Sequence, residues 1–277
     1  MAELEPWCSN TAFWIDFEEA RRAVETLVDL AHDEPDERPT CVILVGQSGM
    51  GKTSILREAQ RRIELTFPEP TELDDARYAP MLRTVIPSSP TSLKINLTLL
   101  WKQGWPITSG IHRIADLKVV ELLRKQRTRL VAIDNVYAIL TASGKARRDT
   151  LDAFRFLMSE GRVPMVVAGL EVAADIFAED VELAYRSIIV RLNPWPAGAA
   201  SQRLIRVLAQ GMRLVDPDSF AEPEFAELIW HNSQGVTGNF KRLLHWSQKV
   251  ARRHGRERVS LADIREAAAL LPAYAFA

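Results

Sequence analysis

The sequence predicts an α/β domain, a parallel sheet flanked by helices, followed by a small all-α domain. Three observations carry that reading. Short β-branched apolar runs alternate with longer amphipathic stretches as far as residue 192. A glycine-rich turn separates the first of these runs from the helix pattern that follows it. After Asn193-Pro194-Trp195-Pro196 the strand-like runs stop and four helix patterns follow. The two prolines set the boundary, giving domains 1–195 and 196–277.

Taken in order, Asp16 to His32 reads as a helix capped by Asp16, with Phe17, Ala20, Val24, Leu27, Val28 and Ala31 on one face. Pro35, Asp36 and Pro39 make a connector. Thr40–Val45 is too short for a helix and apolar on both faces, the pattern of a central parallel strand. Met81–Ile86, Leu130–Ile133, Val163–Ala168 and Ser187–Leu192 repeat the theme. Between them lie helix patterns over Thr53–Leu65, Thr91–Trp101, Ile111–Arg127, Arg147–Ser159 and Glu171–Ala178. The C-terminal helices are predicted over Ser201–Gln210, Glu222–His231, Asn239–His254 and Leu261–Leu270.

The chemistry starts at the glycine-rich turn. Gly46-Gln47-Ser48-Gly49-Met50-Gly51-Lys52-Thr53 matches the phosphate-loop pattern G-x-x-x-x-G-K-[ST]. Its glycines let successive backbone N–H groups turn inward around a phosphate. Lys52 brings a point charge to the outer phosphates, the Thr53 hydroxyl ligates Mg²⁺, and the following helix aims its positive end at the anion. These eight residues form the predicted ATP site. Leu130-Val131-Ala132-Ile133-Asp134 ends an apolar run in an acid, as does the strand that holds the Mg²⁺ shell in phosphate-loop NTPases. Asn135 then stands where hydrolytic enzymes of this type carry Glu. An amide holds water but accepts no proton at neutral pH, and a missing general base costs ~10²–10⁴ in rate. The expectation is ATP binding with slow or absent hydrolysis; in the competing reading Glu171 or another nearby carboxylate substitutes.

Composition bounds the remaining classes. The 277 residues are 47% hydrophobic and 26% charged, which excludes a disordered or collagen-like chain. With 35 Lys+Arg against 36 Asp+Glu the formal charge is −1, so any affinity for nucleic acid rests on local charge separation. Two cysteines, Cys8 and Cys41, imply no disulfide framework, and Cys41 reads as a buried hydrophobe. The acidic start Met1-Ala2-Glu3-Leu4-Glu5 is unlike a signal peptide, and no run reaches the ~18 apolar residues of a membrane span. The expectation is a soluble cytoplasmic protein. The five histidines show no metal-ligand spacing, and Trp101 and Trp105 read as core aromatics on either side of Lys102.

Further segments carry a family likeness: Pro87-Ser88-Ser89-Pro90-Thr91 after the second strand, Ala168-Gly169-Leu170-Glu171-Val172-Ala173 after the fourth, Leu183-Ala184-Tyr185-Arg186, and Leu192-Asn193-Pro194-Trp195. With the phosphate loop, the Asp134 strand and the helical tail, their order resembles the AAA+ ATPases of transposon target selection, the TniB/TnsC family. The resemblance extends over residues 10–270. It implies an AAA+ phosphate-loop domain with a helical lid. It also implies a homo-oligomer, ring or helical filament, that binds ATP at subunit interfaces on duplex DNA and links a TniQ-type target-selection protein to the transposase.

Carried over by position, the resemblance makes Arg186 the arginine that reaches a neighbouring subunit's γ-phosphate. It makes Lys241, in Gly238-Asn239-Phe240-Lys241-Arg242, the phosphate sensor of the lid, with Arg242 as its rival. Basic residues concentrate in Lys94–Lys118 and Arg124–Arg129, at Lys145 to Arg148, and from Lys249 to Arg258. Taken alone, each run reads as a solvated helix face. Because the segment after the second strand faces DNA in relatives, the resemblance suggests Lys102, Arg113 and Lys118 as sequence-independent phosphate contacts. Two positions depart from the family: Asn135, and Leu170 where a polar residue is expected beside the γ-phosphate. Both weaken water activation and spare the phosphate cradle. An actively hydrolysing AAA+ DNA-loading ATPase and a phosphate-loop kinase are the alternatives; the kinase would need a substrate lid and a catalytic carboxylate, neither of which is found.

Overall fold

The computed structural model describes residues 14, 17–70, 77–210, 212 and 222–271. Asp16, Cys8 and the end of the chain after Leu271 lie outside these residues. The chain divides into two compact units. Of the described residues, one unit holds those in 14–46 and 52–192, and the other holds Gln47–Gly51 together with those from Asn193 onward.

The first unit is a five-stranded parallel sheet with helices between its strands. Helix α1 (Glu18–Leu30) precedes β1 (Cys41–Gly46), α2 (Lys52–Thr66), β2 (Met81–Val85), α3 (Ser92–Lys102), α4 (Ala115–Lys125) and β3 (Leu130–Asp134). Then come α5 (Gly144–Gly161), β4 (Met165–Gly169), α6 (Val172–Ala178), the short α7 (Val181–Tyr185) and β5 (Ser187–Leu192). The strand order is β2-β3-β4-β1-β5, every pairing parallel. Strands β1, β3 and β4 are buried at every position, as expected of central strands covered on both faces. Strand β5 forms an edge, and its Ile188 and Ile189 stay exposed. The core joins Ile43, Val45, Ile133 and Val167 of the sheet to Leu99, Val119, Leu123, Phe154, Leu157 and Phe177 of the helices. Cys41 is fully buried, and burial pushes its thiol up to about 12.

The second unit adds α8 (Ala199–Ala209), α9 (Pro223–Ser233), α10 (Thr237–Arg253) and α11 (Leu261–Leu270). Its buried side includes Leu204, Ile205, Leu208, Ile229, Phe240, Leu243, Leu244, Val250 and Ile264. Ser260 caps α11 through a reciprocal box with Asp263, and that fully buried carboxylate is also paired with Arg256.

Three local readings are revised. The single helix expected over Ile111–Arg127 is a 3₁₀ turn at Ser109–Arg113 followed by α4; Ile114, at φ −131° and ψ 17°, breaks the helical path. α7 is an extra turn, capped by the Asp180 carboxylate, which accepts from the Leu183 N–H at 2.9 Å. Trp101 is 64% exposed and is not a core aromatic. On α3 the buried stripe is Ile95, Asn96, Leu99 and Leu100, and at about 100° per residue Trp101 falls on the opposite side.

Candidate nucleotide-binding site

The phosphate-loop segment leaves the C-terminal end of β1, between β4 and β5, and runs directly into α2. That is the end of a parallel sheet where the N-termini of following helices collect, and where anions bind. Gly49 and Gly51 take φ +85° and +91°, left-handed values that any side chain would strain. Two left-handed glycines give the segment the sharp bend that a turn gathering N–H groups around an anion requires.

Two side chains follow. The Lys52 Nζ donates to the Gly46 carbonyl at 2.7 Å. Burial holds its ammonium below the usual lysine range, and the Asp134 carboxylate partly offsets that shift. A partly desolvated cation of this kind gains from an arriving polyanion. The Thr53 hydroxyl donates to Asp134 Oδ2 at 2.6 Å, and the Asn135 N–H donates to Oδ1 at 2.8 Å. Asp134 is buried. Thr53 stands in the first turn of α2, which follows β1, and Asp134 ends β3; β4 lies between those two strands. The Thr53–Asp134 bond joins the two groups expected to support a metal, 81 positions apart in sequence. One carboxylate and one hydroxyl make a sparse set suited to Mg²⁺, which keeps several waters and takes oxygens from phosphate. Among the described residues no group of three or more His, Cys, Asp or Glu could hold a metal ion by itself. The residues present fit Mg²⁺ bound with a nucleotide.

Asn135 sits at φ 67°, ψ 34° and is exposed. This is the left-handed region, where Asn is several-fold enriched among non-glycine residues. The conformation turns the chain from β3 into the 3₁₀ turn Val136–Thr141 and was invisible in the sequence, where only the missing acid showed. Leu170 follows β4 and is half-buried. Glu171 beside it accepts from Arg191 Nε at 2.7 Å. Val45 of β1 pairs with Gly169 on one side and Arg191 on the other, so this ion pair straddles the strand that feeds the loop. The substitute carboxylate considered from sequence is thus engaged with an arginine.

The remaining predicted site residues lie on other elements. Arg186 is at the opposite end of the sheet, where its carbonyl accepts from the Cys41 N–H at 3.0 Å. Five residues of β1 separate that point from Gly46, about 17 Å at strand rise. Its guanidinium donates to Ser159 Oγ at 3.2 Å, pairs with Glu182 at 3.7 Å and is 11% exposed. Gly46, Gln47, Ser48, Gly49, Met50 and Gly51 form the loop, with Met50 buried. In the second unit the Gly238 N–H donates to the Gly49 carbonyl at 2.9 Å. Lys241 is exposed on α10 three residues later, about one helical turn.

Of the three basic residues, Lys102 is exposed with its Nζ 5.0 Å from the Trp101 ring centre, and Arg113 is exposed. Lys118 is 14% exposed, bonded to Glu121 at 2.8 Å, and stacked 3.9 Å over Trp105. In sequence, this segment is marked by the lack of any Asp or Glu between Asp75 and Asp116.

Comparison with solved structures shows the AAA+ fold. Aeropyrum pernix ORC2, in ADPNP–ADP complexes, is 17% identical over 96% of this chain and 71% of its own, with a TM-score of 0.67. Cdc6p from Pyrobaculum aerophilum is 14% identical over 94% and 69%, with a TM-score of 0.65. Thermotoga maritima RuvB, a Holliday junction branch migration motor, is 14% identical over 93% and 70%, at 0.54. Comparison with curated protein sequences gives no match. No helix among the described residues is long and apolar enough to cross a membrane. The profile described as bacterial TniB protein matches residues 8–197, the whole sheet, the phosphate loop and the Asn-Pro-Trp-Pro segment that follows it, and on that match the chain belongs to the TniB family.

Proposed function

We propose that this protein is an ATP-binding regulator of DNA transposition. In this reading it assembles as a homo-oligomer on duplex DNA and links a TniQ-type target-selection protein to the transposase, with slow or absent hydrolysis. The observation that carries the nucleotide part is the 2.6 Å bond from Thr53 to Asp134 beside the glycine turn. The N–H groups of residues 47–52 would face the phosphates, and Lys52 would leave the Gly46 carbonyl to neutralise the outer ones. Thr53 and Asp134 would hold Mg²⁺, and Lys241 would approach from α10. Bound ATP supplies the negative charge that these donors otherwise lack.

Two observations support slow turnover. Asn135 accepts no proton, and Glu171 is held by Arg191 at 2.7 Å. Arg186 supports assembly: about 17 Å of strand separates it from its own loop, so a phosphate it reaches belongs to another copy. Membership of the TniB family supports the transposition role and the partners. The exposed Lys102 and Arg113 on an acid-free segment support contacts to the DNA backbone.

Calorimetry with Mg-ATP tests the nucleotide reading. Wild-type protein binds, and Lys52→Ala loses a charge-assisted contact worth about 1.5–3 kcal/mol, roughly 10- to 150-fold in affinity. Absence of wild-type binding refutes the proposal. Imaging of the protein with duplex DNA and ATP tests assembly: oligomers that require both components are expected, and monomers under all conditions overturn that part.

A further inference from the structure

The tip of the phosphate loop is gripped by backbone. Gly49 presents its carbonyl to the Gly238 N–H at 2.9 Å, at the first turn of α10. Val236 packs alongside: a side-chain carbon built on Gly49 would stand 3.2 Å from Val236 Cγ1. The close approach is mutual. A Cβ on Gly238 would meet the Gly49 Cα at 3.0 Å and its carbonyl oxygen at 3.1 Å.

Gly238 is itself held in place. The Trp195 N–H donates to the Gly235 carbonyl at 2.8 Å, the Trp195 indole donates to Thr237 Oγ1 at 2.9 Å, and the Trp230 indole donates to the Trp195 carbonyl at 2.8 Å. The Trp195 segment, the α9–α10 turn and the loop tip therefore form one hydrogen-bonded chain.

A trans peptide plane gives this grip a consequence. The carbonyl of one residue and the N–H of the next point in opposite directions. With the Gly49 carbonyl fixed on Gly238, the Met50 N–H points the other way, into the turn, where it donates to the Gln47 carbonyl at 3.3 Å. Were this plane to flip, a carbonyl would face the inside of the turn in place of an N–H, and on the nucleotide reading that is the side the phosphates take. Glycine lacks the Cβ that would resist such a flip, so Gly49 needs an outside restraint.

We infer that Gly238 is a positioning residue for nucleotide binding: its N–H locks the Gly49–Met50 peptide in the anion-binding orientation and couples loop occupancy to α10 through backbone. The inference rests on the nucleotide reading proposed above and adds a regulatory route that uses no charged side chain. By linkage, a ligand that tightens the loop protects the Gly238 amide to the same degree as that amide tightens the ligand.

The test uses the full chain. Affinity for Mg-ATP is measured by calorimetry for wild type, Gly238→Ala and Trp195→Phe, with circular dichroism as the folding check. Exchange of the Gly238 amide is followed by NMR on ¹⁵N-glycine-labelled wild type, with and without Mg-ATP; the 13 glycines keep the spectrum sparse. The expected results are a folded Gly238→Ala that binds at least tenfold more weakly, a smaller loss for Trp195→Phe, and at least tenfold slower Gly238 exchange with nucleotide. Wild-type binding with a folded Gly238→Ala of equal affinity overturns the inference and leaves the nucleotide reading standing. If Gly238→Ala does not fold, unchanged Gly238 exchange in nucleotide-bound wild type overturns it. Failure of wild type to bind overturns both.

Discussion

Replacing Asn135 by Glu tests both the conformation and the chemistry of the position after Asp134. Asn135 is held at φ 67°, ψ 34°. An ordinary L-residue pays about 1–2 kcal/mol there, which Asn partly escapes through local hydrogen bonding. The side chain is exposed, so a carboxylate incurs no burial penalty. It does stand beside the Asp134 carboxylate, which already accepts from Thr53 at 2.6 Å and from the Asn135 N–H at 2.8 Å. The net expectation for Asn135→Glu is a loss of about 1–2 kcal/mol, or roughly 2–8 °C in Tm for a domain of this size. Asn135→Gly, which accepts the same backbone at no steric cost, is expected within ~0.5 kcal/mol of wild type. Urea unfolding followed by circular dichroism reads both. On the chemical side, a positioned general base is worth ~10²–10⁴ in rate. Asn135→Glu is therefore expected to raise phosphate release with ATP and DNA at least tenfold over a slow wild type, while Asn135→Gly does not. Equal stability of Asn135→Glu and wild type would refute the backbone argument. A stable Asn135→Glu protein with no gain in turnover would refute the assignment of this position to water activation.

On α2, Arg61 and Arg62 hold the buried Glu58 carboxyl at about 2, with the Arg61 hydrogen bonds as the main cause. A depressed carboxyl stabilises above its ordinary value of 4.5, and the contribution fades as pH falls from 4.5 toward 2. Arg61 is 60% exposed, so solvent screening discounts most of this contribution; Glu58→Gln should be less stable than wild type at pH 7, and its deficit in urea melts should shrink by pH 3. A Cβ on Gly169 would stand 2.9 Å from Val136 Cγ2 and 3.1 Å from the Ala173 Cβ, both in the closed core; Gly169→Ala should cost about 1–3 kcal/mol by overpacking, read in the same melts. For DNA, Lys102→Ala and Arg113→Ala should each lower the slope of log affinity against log salt by about 1. Lys118→Ala should change that slope less, because its ammonium is committed to Glu121 and Trp105.

The fold class was legible because a parallel sheet buried on both faces demands short, uniformly apolar strands. Cys41–Val45, Leu130–Ile133 and Met165–Ala168, within the runs read as strands, meet that demand residue by residue. The loop was legible because phosphate binding constrains the residue types at fixed spacing, and Asp134 because it ends an apolar run after such a loop. Sequence also identified the missing acid at Asn135. What it could not supply depends on three dimensions. The α3 stripe that leaves Trp101 in solvent depends on which neighbours the helix meets, and periodicity over so short a helix left that ambiguous. The Thr53–Asp134 bond depends on strand order, which sets β1, the strand leading into α2, one strand away from β3 and so joins residues 81 positions apart. The left-handed turn at Asn135 is a backbone conformation that residue type alone does not fix, and the Arg191 hold on Glu171 and the Gly238 grip on Gly49 are meetings of residues remote in sequence. A linear pattern records residue type and spacing; orientation and partnership arise only when the chain has closed on itself.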